Sequence, residues 1–486
     1  MIIFMKKTGF IINVFIMTGS MLIIRMAGIV SNIYISAKAG AEAMGLYHVI
    51  FSVYAFAITV SVSGTGLAAT RLVSERFGEK NHNQGAPIIK KCITIAMLTS
   101  VFAAVIMFFG ANYISINLIG DKRCISALRI LALSLPFIGA SAVLRGGFIA
   151  MRKAAVITGS QITEEFSAIF ITIYILKSSA DTPYAYMSMI IGNCASEALA
   201  FIYDFIMSKI IFKSNAISAH DVKYKSILNI CVPVALGSYL RAGLVALENV
   251  LIPKQLGKFG IINPLSEYGV VKAMAMQIIL FPTVFIHSFA SMLVPEMSEM
   301  NAAMRKNGIK YVAALAIKFT LIFAFAAAAV FYKYHHELAQ TLYKNENVSF
   351  YLGALSLLVV PMYLDTVVDS MLKGLNQQMS NLRYNIADSV LRVLAIWIFL
   401  PRYGMYAYIV LLYASELFNL TLSIGRLIRV SGVRVKISEC IVTPVFCIGI
   451  SIFAIKLFRF SGFIPEILVF IVIYMLCTFI FDKTED

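Results

Sequence analysis

Arg25 stands in the run MLIIRMAGIV, residues 21 to 30, among apolar neighbours. A guanidinium at the centre of a bilayer costs about 2.5–3.5 kcal/mol on insertion scales, so a partner or a polar ligand must offset it. Other ionisable residues sit in equally greasy segments. In the first half they are Arg25, Arg145, Glu164, Glu165, Glu197 and Asp204. In the second they are Arg241, Glu248, Lys272, Lys318, Asp365, Asp369, Asp388, Arg392 and Glu416. Two chemistries beyond plain ion pairing are open to such a set. Guanidinium groups suit phosphate, because the planar fork makes two parallel bonds. Carboxylates with amide oxygens suit Na⁺, and a carboxylate alone can carry H⁺.

Several residues have local explanations. Asp388 and Arg392 are four apart on one helix and can neutralise each other. Asp365 and Asp369 share a face, so that face is wet or paired. Glu164 and Glu165 can pair with Arg145 or Arg25, and Lys272, near a helix start, can snorkel. Together, however, the charges are too many for a lipid-facing surface or a dry bundle core. They imply a polar cavity between two helical lobes. Arg25, Arg241 and Arg145 are its candidate phosphate ligands, and Glu164, Glu165, Glu197, Asp365 and Asp369 their charge partners. Glu248 lies seven residues after Arg241 on the same face and offers it a structural partner. Glu248, Asn385, Asp388, Glu416 and Asn419 fall at comparable depth in the seventh, eleventh and twelfth helices. They form a candidate coupling-ion site for Na⁺ or H⁺; a helix-to-helix hydrogen-bond network is the other reading.

The elements that must hold these residues are membrane helices. The chain has 486 residues, 60% hydrophobic and 14% charged, against about 25% charged in soluble domains, with a mean hydropathy of +0.84. Cys92–Gly120, Ala43–Thr70 and Ala273–Pro295 contain no Asp, Glu, Lys or Arg, and a spanning helix needs about 20 apolar residues. The pattern predicts an all-α, multi-pass protein of the bacterial cytoplasmic membrane with about fourteen spans. Assigning Lys and Arg to the two sides leaves an excess on the N-terminal side, so both termini are expected in the cytoplasm. The same rule absorbs the net charge of +16 and removes the need for a nucleic-acid partner. The N-terminus, with Lys6 and Lys7 before a long apolar run, reads as a retained first helix rather than a cleaved signal.

A basic linker, 212–225, separates an N-lobe of six helices (1–211) from a C-lobe of six (226–430); residues 431–486 hold two more helices and a short tail. GSML at Gly19 recurs as GSYL at Gly237, and LVSE at Leu72 as LVPE at Leu293. Each of the first pair is followed by an intramembrane arginine, Arg25 or Arg241. The lobes therefore read as parallel repeats, related by an axis along the membrane normal. The seven cysteines include no CxxC pair, so no zinc or disulfide framework is implied. No GxxxxGK[ST] loop, HExxH or supported Ser/His/Asp set is present, and an enzyme, such as a glycan polymerase, is disfavoured. No resident cofactor or metal is expected beyond Na⁺.

The chain resembles the stage V sporulation protein B group of polysaccharide exporters. That group shares a superfamily with lipid II flippases, oligosaccharidyl-lipid flippases and multidrug-and-toxin extruders. The resemblance rests on RMAG from Arg25, GAEAMGLYHVIFSVYAF from Gly40, RLVSE from Arg71 and LVPEMSE from Leu293. It continues in MLKGLNQQ from Met371, LRYNIADSVLR from Leu382, PRYGMYAY from Pro401 and LYASELFNLTLSIGRL from Leu412. It implies two six-helix lobes, alternating access and a basic cavity for a pyrophosphate-linked lipid, with Arg25 matching the family's first-helix arginine. Many members carry a second arginine one or two turns on; here Ser31 and Asn32 stand there. The expected cargo is a polyprenyl-diphosphate-linked saccharide, such as a peptidoglycan precursor, with cell-wall or spore-envelope synthesis proteins as partners. The alternative is a multidrug–cation antiporter of the same superfamily, which would want an acidic, aromatic cavity with few arginines.

Overall fold

A computed structural model of the chain describes residues 2–78, 85–151, 153–179, 184–212, 224–433, 438–457 and 462–484. Residues 213–223 of the expected basic linker lie outside them. Among the described residues all regular structure is helical. The chain divides into two compact units, Met1–Gly269 and Val270–Asp486.

The first unit opens with α1 (Ile2–Val62), which bends at Gly40, where φ is 80° and ψ 166°. That conformation is open essentially to glycine alone, so a helix cannot run straight through this point. α2 (Thr65–Gly78), α3 (Gly85–Tyr113), α4 (Cys124–Ala132), α5 (Leu135–Ala150), α6 (Ala154–Ser179), α7 (Ala185–Ile211), α8 (Tyr224–Phe259) and α9 (Pro264–Gly269) follow. With little hydrophobic drive between helices in lipid, association rests on close packing of small residues. Two glycine crossings show this. A Cβ on Gly146 of α5 would lie 2.3 Å from the Gly66 carbonyl of α2, and Thr70 Oγ1 donates to the Gly66 and Gly146 carbonyls at 2.9 Å each. A Cβ on Gly159 of α6 would lie 2.3 Å from the hydroxyl of Tyr203 on α7. Near the Gly40 bend, Arg123 pairs with Asp121 and Glu42 at 2.8 Å each, and Glu42 also accepts from Asn263 at 3.2 Å. Hydrogen bonding to Asp121 holds the Arg123 guanidinium still more firmly protonated than usual.

The second unit contains α10 (Met276–Leu280), α11 (Thr283–Ala302), α12 (Lys306–Lys333), α13 (His335–Leu342), α14 (Glu346–Leu355), α15 (Val359–Gly374), α16 (Gln378–Ser431), α17 (Thr443–Leu457) and α18 (Phe463–Thr484). α16 mirrors α1: it bends at Gly404, φ 59°, three residues after Pro401. Lys318 of α12 meets Glu439, at the head of α17, at 2.9 Å. Tyr334, next to α12, donates to Glu466 of α18 at 2.9 Å. The last two helices are thereby pinned to α12.

Among the described residues nine helices are long and apolar enough to cross a membrane, or eleven if two bent pairs are each one span. The bent pairs are Cys124–Ala132 with Leu135–Ala150, at 41°, and Pro264–Leu280 with Thr283–Ala302, at 58°. The expectation was about fourteen. The shortfall has a physical source: Ile23–Ser74, which joins α1 to α2, and Gln378–Ser431 each count as a single span, of 52 and 54 residues. Their bends at Gly40 and Gly404 fall where the sequence suggests loops.

Candidate functional site

The site begins on α1. Arg25 lines a cavity of about 270 Å³ together with Ile24, Arg145, Gln161, Glu164 and Glu165. All six belong to the first unit. The turn that carries Arg25 is followed by Gly28, whose lack of a side chain lets Glu165 approach: a Cβ there would lie 3.0 Å from Glu165 Oε1. Arg25 makes no hydrogen bond or ion pair among the described residues, and its charge acts on Glu165. A half-buried guanidinium with no partner among the described residues, facing a cavity of this size, is unusual in a segment meant for lipid.

Arg145 is held differently. Its Nη2 donates to Glu164 Oε2 at 2.6 Å, and its Nε donates to Asp204 Oδ2 at 2.9 Å and to Ser160 Oγ at 3.0 Å. Asp204 is fully buried, while Arg145 and Glu164 keep 23% and 31% exposure. The close α6–α7 contact at Gly159 and Tyr203 brings Ser160 and Asp204 to the same spot. Glu197, two turns before Asp204 on α7, faces Glu164, Arg145 and Asp204 electrostatically and makes no hydrogen bond. Arg145 is therefore a clamped cation with one edge toward the cavity. The sequence reading names Asp204 among the membrane charges and leaves it out of the candidate site; no local spacing links residues 145 and 204.

Arg241 does not line this cavity. It lies exposed on α8. The neighbouring face of that helix packs on α1, where a Cβ at Gly243 would be 3.4 Å from the Phe56 ring and Tyr239 bonds the Ser63 hydroxyl. Glu248, further along α8, is buried at 3% exposure.

Asp365, Asp369, Asp388 and Glu416 belong to the second unit, where they form their own polar network. Asn419 Nδ2 donates to Asp365 Oδ2 at 2.9 Å, and Ser423 Oγ reaches Asp369 Oδ1 at 3.5 Å. Asp388 accepts from Arg392 Nη2 and Ser415 Oγ at 2.6 Å each. Glu416 lies within electrostatic reach of Arg392, Asp388, Asp369 and Lys272. Asn385 turns back onto Asn381, donating to its carbonyl at 2.9 Å and to its Oδ1 at 2.8 Å. Both Asp388 oxygens thus accept from protein donors, and the Asn385 Nδ2 is engaged by its own helix. Among the described residues no three His, Cys, Asp or Glu groups gather to hold a metal ion.

Residues 10–242 match the family described as polysaccharide biosynthesis protein. Stage V sporulation protein B of Bacillus subtilis (strain 168) is 21% identical over 386 residues, which cover 76% of this chain and 74% of that protein. Among solved structures, the lipid II flippase MurJ in an inward closed conformation superposes with a TM-score of 0.75 at 16% identity. The match covers 96% of this chain and 99% of that one. A multidrug resistance transporter of the MATE family, in an inward-facing conformation, gives 0.66 at 14% identity, over 85% and 99%. The fold is theirs, and the chain is a multi-pass membrane protein. By sequence, residues 10–242 match the polysaccharide biosynthesis protein family and the chain is similar to stage V sporulation protein B; by fold it is similar to the lipid II flippase and the multidrug transporter.

Proposed function

We propose that the chain is a flippase that carries a polyprenyl-diphosphate-linked saccharide across the bacterial cytoplasmic membrane by alternating access. The observation that carries this reading is the cavity lined by Arg25, which has no partner among the described residues, and by Arg145. Diphosphate oxygens are the ligand that two such groups accept best, through paired N–H···O bonds. Saccharide and diphosphate would enter water-filled space while the prenyl tail stays in lipid. The names of the similar proteins, a sporulation protein and a lipid II flippase, support a cell-wall or spore-envelope precursor as the cargo.

The proposal includes a finer topology. Ile23–Ser74 and Gln378–Ser431, at 1.5 Å per residue, would each run more than twice the roughly 30 Å hydrocarbon core. Each therefore counts as two crossings. α6, whose Glu164, Glu165 and Lys177 dilute its hydropathy, counts as one more. With the bent pairs this makes fourteen, with both termini in the cytoplasm. The proposal assigns Asp388, Glu416 and Asn419 of the second unit to coupling with H⁺ or Na⁺, which for Na⁺ requires Arg392 to leave Asp388.

A second reading, export of organic cations, is favoured by the carboxyls Glu164 and Glu165 in the same cavity wall and by the fold shared with MATE transporters. Proteoliposomes separate the two. Inside-out vesicles holding the protein are offered a fluorescent polyprenyl-diphosphate saccharide and, separately, a cationic dye. The proposal expects the lipid headgroup to become accessible to an enzyme on the far side and the dye to stay put. Dye transport without headgroup transfer overturns it.

A further inference from the structure

Two polar side chains in the wall of the Arg25 cavity are not engaged by the protein. Glu164 and Glu165 are neighbours on α6, and both line the cavity. Glu164 is held by Arg145 Nη2 at 2.6 Å. Glu165 makes no hydrogen bond or ion pair among the described residues, although the charge of Arg25 acts on it. Gln161, one helical turn before Glu165, lines the same cavity and likewise makes no hydrogen bond among the described residues. Gly28 of α1 leaves room for Glu165, since a Cβ there would lie 3.0 Å from Glu165 Oε1. A carboxylate beside a phosphate site repels the phosphate, so phosphate binding alone does not account for it.

The chemistry of the two side chains says what they suit. A carboxylate accepts hydrogen bonds, and an amide both accepts and donates. Hydroxyl groups are the partners that satisfy both. Residues four apart share a helix face, with Cβ atoms about 5–6 Å apart, so Gln161 and Glu165 can hold one hydroxyl-bearing ring at two positions. Arg25 and Arg145 supply donors for phosphate in the same hollow. At about 270 Å³ the cavity is near the small end of ligand pockets, which run roughly 300–1,000 Å³. It suits a diphosphate and the sugar directly attached to it, not a long glycan.

We propose that Glu165 and Gln161 determine specificity: they bind hydroxyls of the sugar adjoining the diphosphate and so select glycosylated over unglycosylated lipid. Glu165 accepts from one hydroxyl, and the Gln161 amide accepts from or donates to another. Glu164 stays on Arg145 and keeps that guanidinium in place. A lipid diphosphate with no hydroxyl leaves the Glu165 carboxylate facing phosphate with nothing between them. Such a ligand is disfavoured twice, by the repulsion and by the missing hydrogen bonds. The carboxylate beside the phosphate site is thereby the means of telling cargo from bare carrier lipid. This rests on the phosphate-cargo reading and names the part of the cargo that the cavity reads.

The test uses the full chain in detergent and two probes, a polyprenyl-diphosphate monosaccharide and the methyl ester of polyprenyl diphosphate. The probes carry the same charge and differ in the hydroxyl-bearing ring. Calorimetric titration gives the affinity for each. The expected result is tighter binding of the saccharide by about tenfold or more, the scale of one hydrogen bond to a charged group. Glu165→Ala loses most of that preference and Gln161→Ala part of it, while affinity for the methyl ester holds or rises. A general loss of structure would weaken both probes alike and leave their ratio unchanged. Equal binding of the two probes by the wild type, or tighter binding of the methyl ester, overturns the inference and leaves the cargo reading standing. An unchanged preference in either variant also overturns it. No binding of either probe by the wild type overturns both. If Glu165→Ala does not fold, the wild-type preference together with Gln161→Ala decides.

Discussion

Asp204 is the residue on which the first unit should depend most sharply. It has no exposure and holds Arg145 Nε at 2.9 Å. Breaking a buried pair by removing one partner typically costs about 3–5 kcal/mol, because the remaining charge is stranded. Here Glu164 stays bonded to Arg145 Nη2, and Arg145 keeps 23% exposure, so Asp204→Ala is expected at the lower end, about 3 kcal/mol. Replacing both partners by apolar residues removes the stranded charge. Arg145→Leu with Asp204→Leu is therefore expected to be more stable than Asp204→Ala alone, as buried pairs exchanged for packed hydrophobes often are. The assay suits this chain. Cys92, Cys124 and Cys231 are buried in the first unit, so with Cys440, Cys447 and Cys477 of the second unit replaced by Ala a thiol-reactive dye reports when the first unit opens on heating. The single tryptophan, Trp397, belongs to the second unit and is exposed, so its fluorescence does not. An Asp204→Ala melting temperature within a degree of the wild type would refute the reasoning. So would a double variant less stable than the single one.

Other outcomes follow from the same contacts. Gly146→Ala forces a methyl to 2.3 Å from a backbone carbonyl and should cost about 1–3 kcal/mol as overpacking; Gly425→Ala, with nothing within 4 Å, should not destabilise, and melting curves compare them. Lys318→Met removes the 2.9 Å contact to Glu439 and should loosen the last two helices, seen as faster proteolysis of the C-terminal helices; adding Glu439→Gln should restore most of the protection. Gly28→Ala places a methyl 3.0 Å from Glu165 Oε1 and should reduce headgroup transfer severalfold with little change in melting temperature.

Much of this was legible in the residues. Long apolar runs and scattered intramembrane charges announce membrane helices around polar space, and Arg25, Glu164 and Glu165 do share one cavity wall. Asp388 and Arg392, four apart, pair as helix geometry demands. What stayed hidden is tertiary. Arg145 reaches Asp204 across 59 positions, and Lys318 reaches Glu439 across 121; no periodicity encodes such meetings. Arg241, the repeat partner of Arg25, lies away from this cavity because Gly243 and Tyr239 turn the adjoining face of α8 against α1. A weaker clue to Asp204 was present: it follows Glu197 by seven residues, on the same face of α7, with no cation three or four residues from either. The bends at Gly40 and Gly404 were visible as turn signals, though not that helix would continue on both sides of them.

Arg25 bears the central claim, since its unpaired guanidinium is what makes the cavity a place for phosphate. The direct measurement is transfer of a polyprenyl-diphosphate saccharide in proteoliposomes, wild type against Arg25→Ala, at equal protein content and matched melting temperature. A fall of tenfold or more, about 1.4 kcal/mol in the binding or crossing step, is the predicted result. Transfer at the wild-type rate would contradict the account.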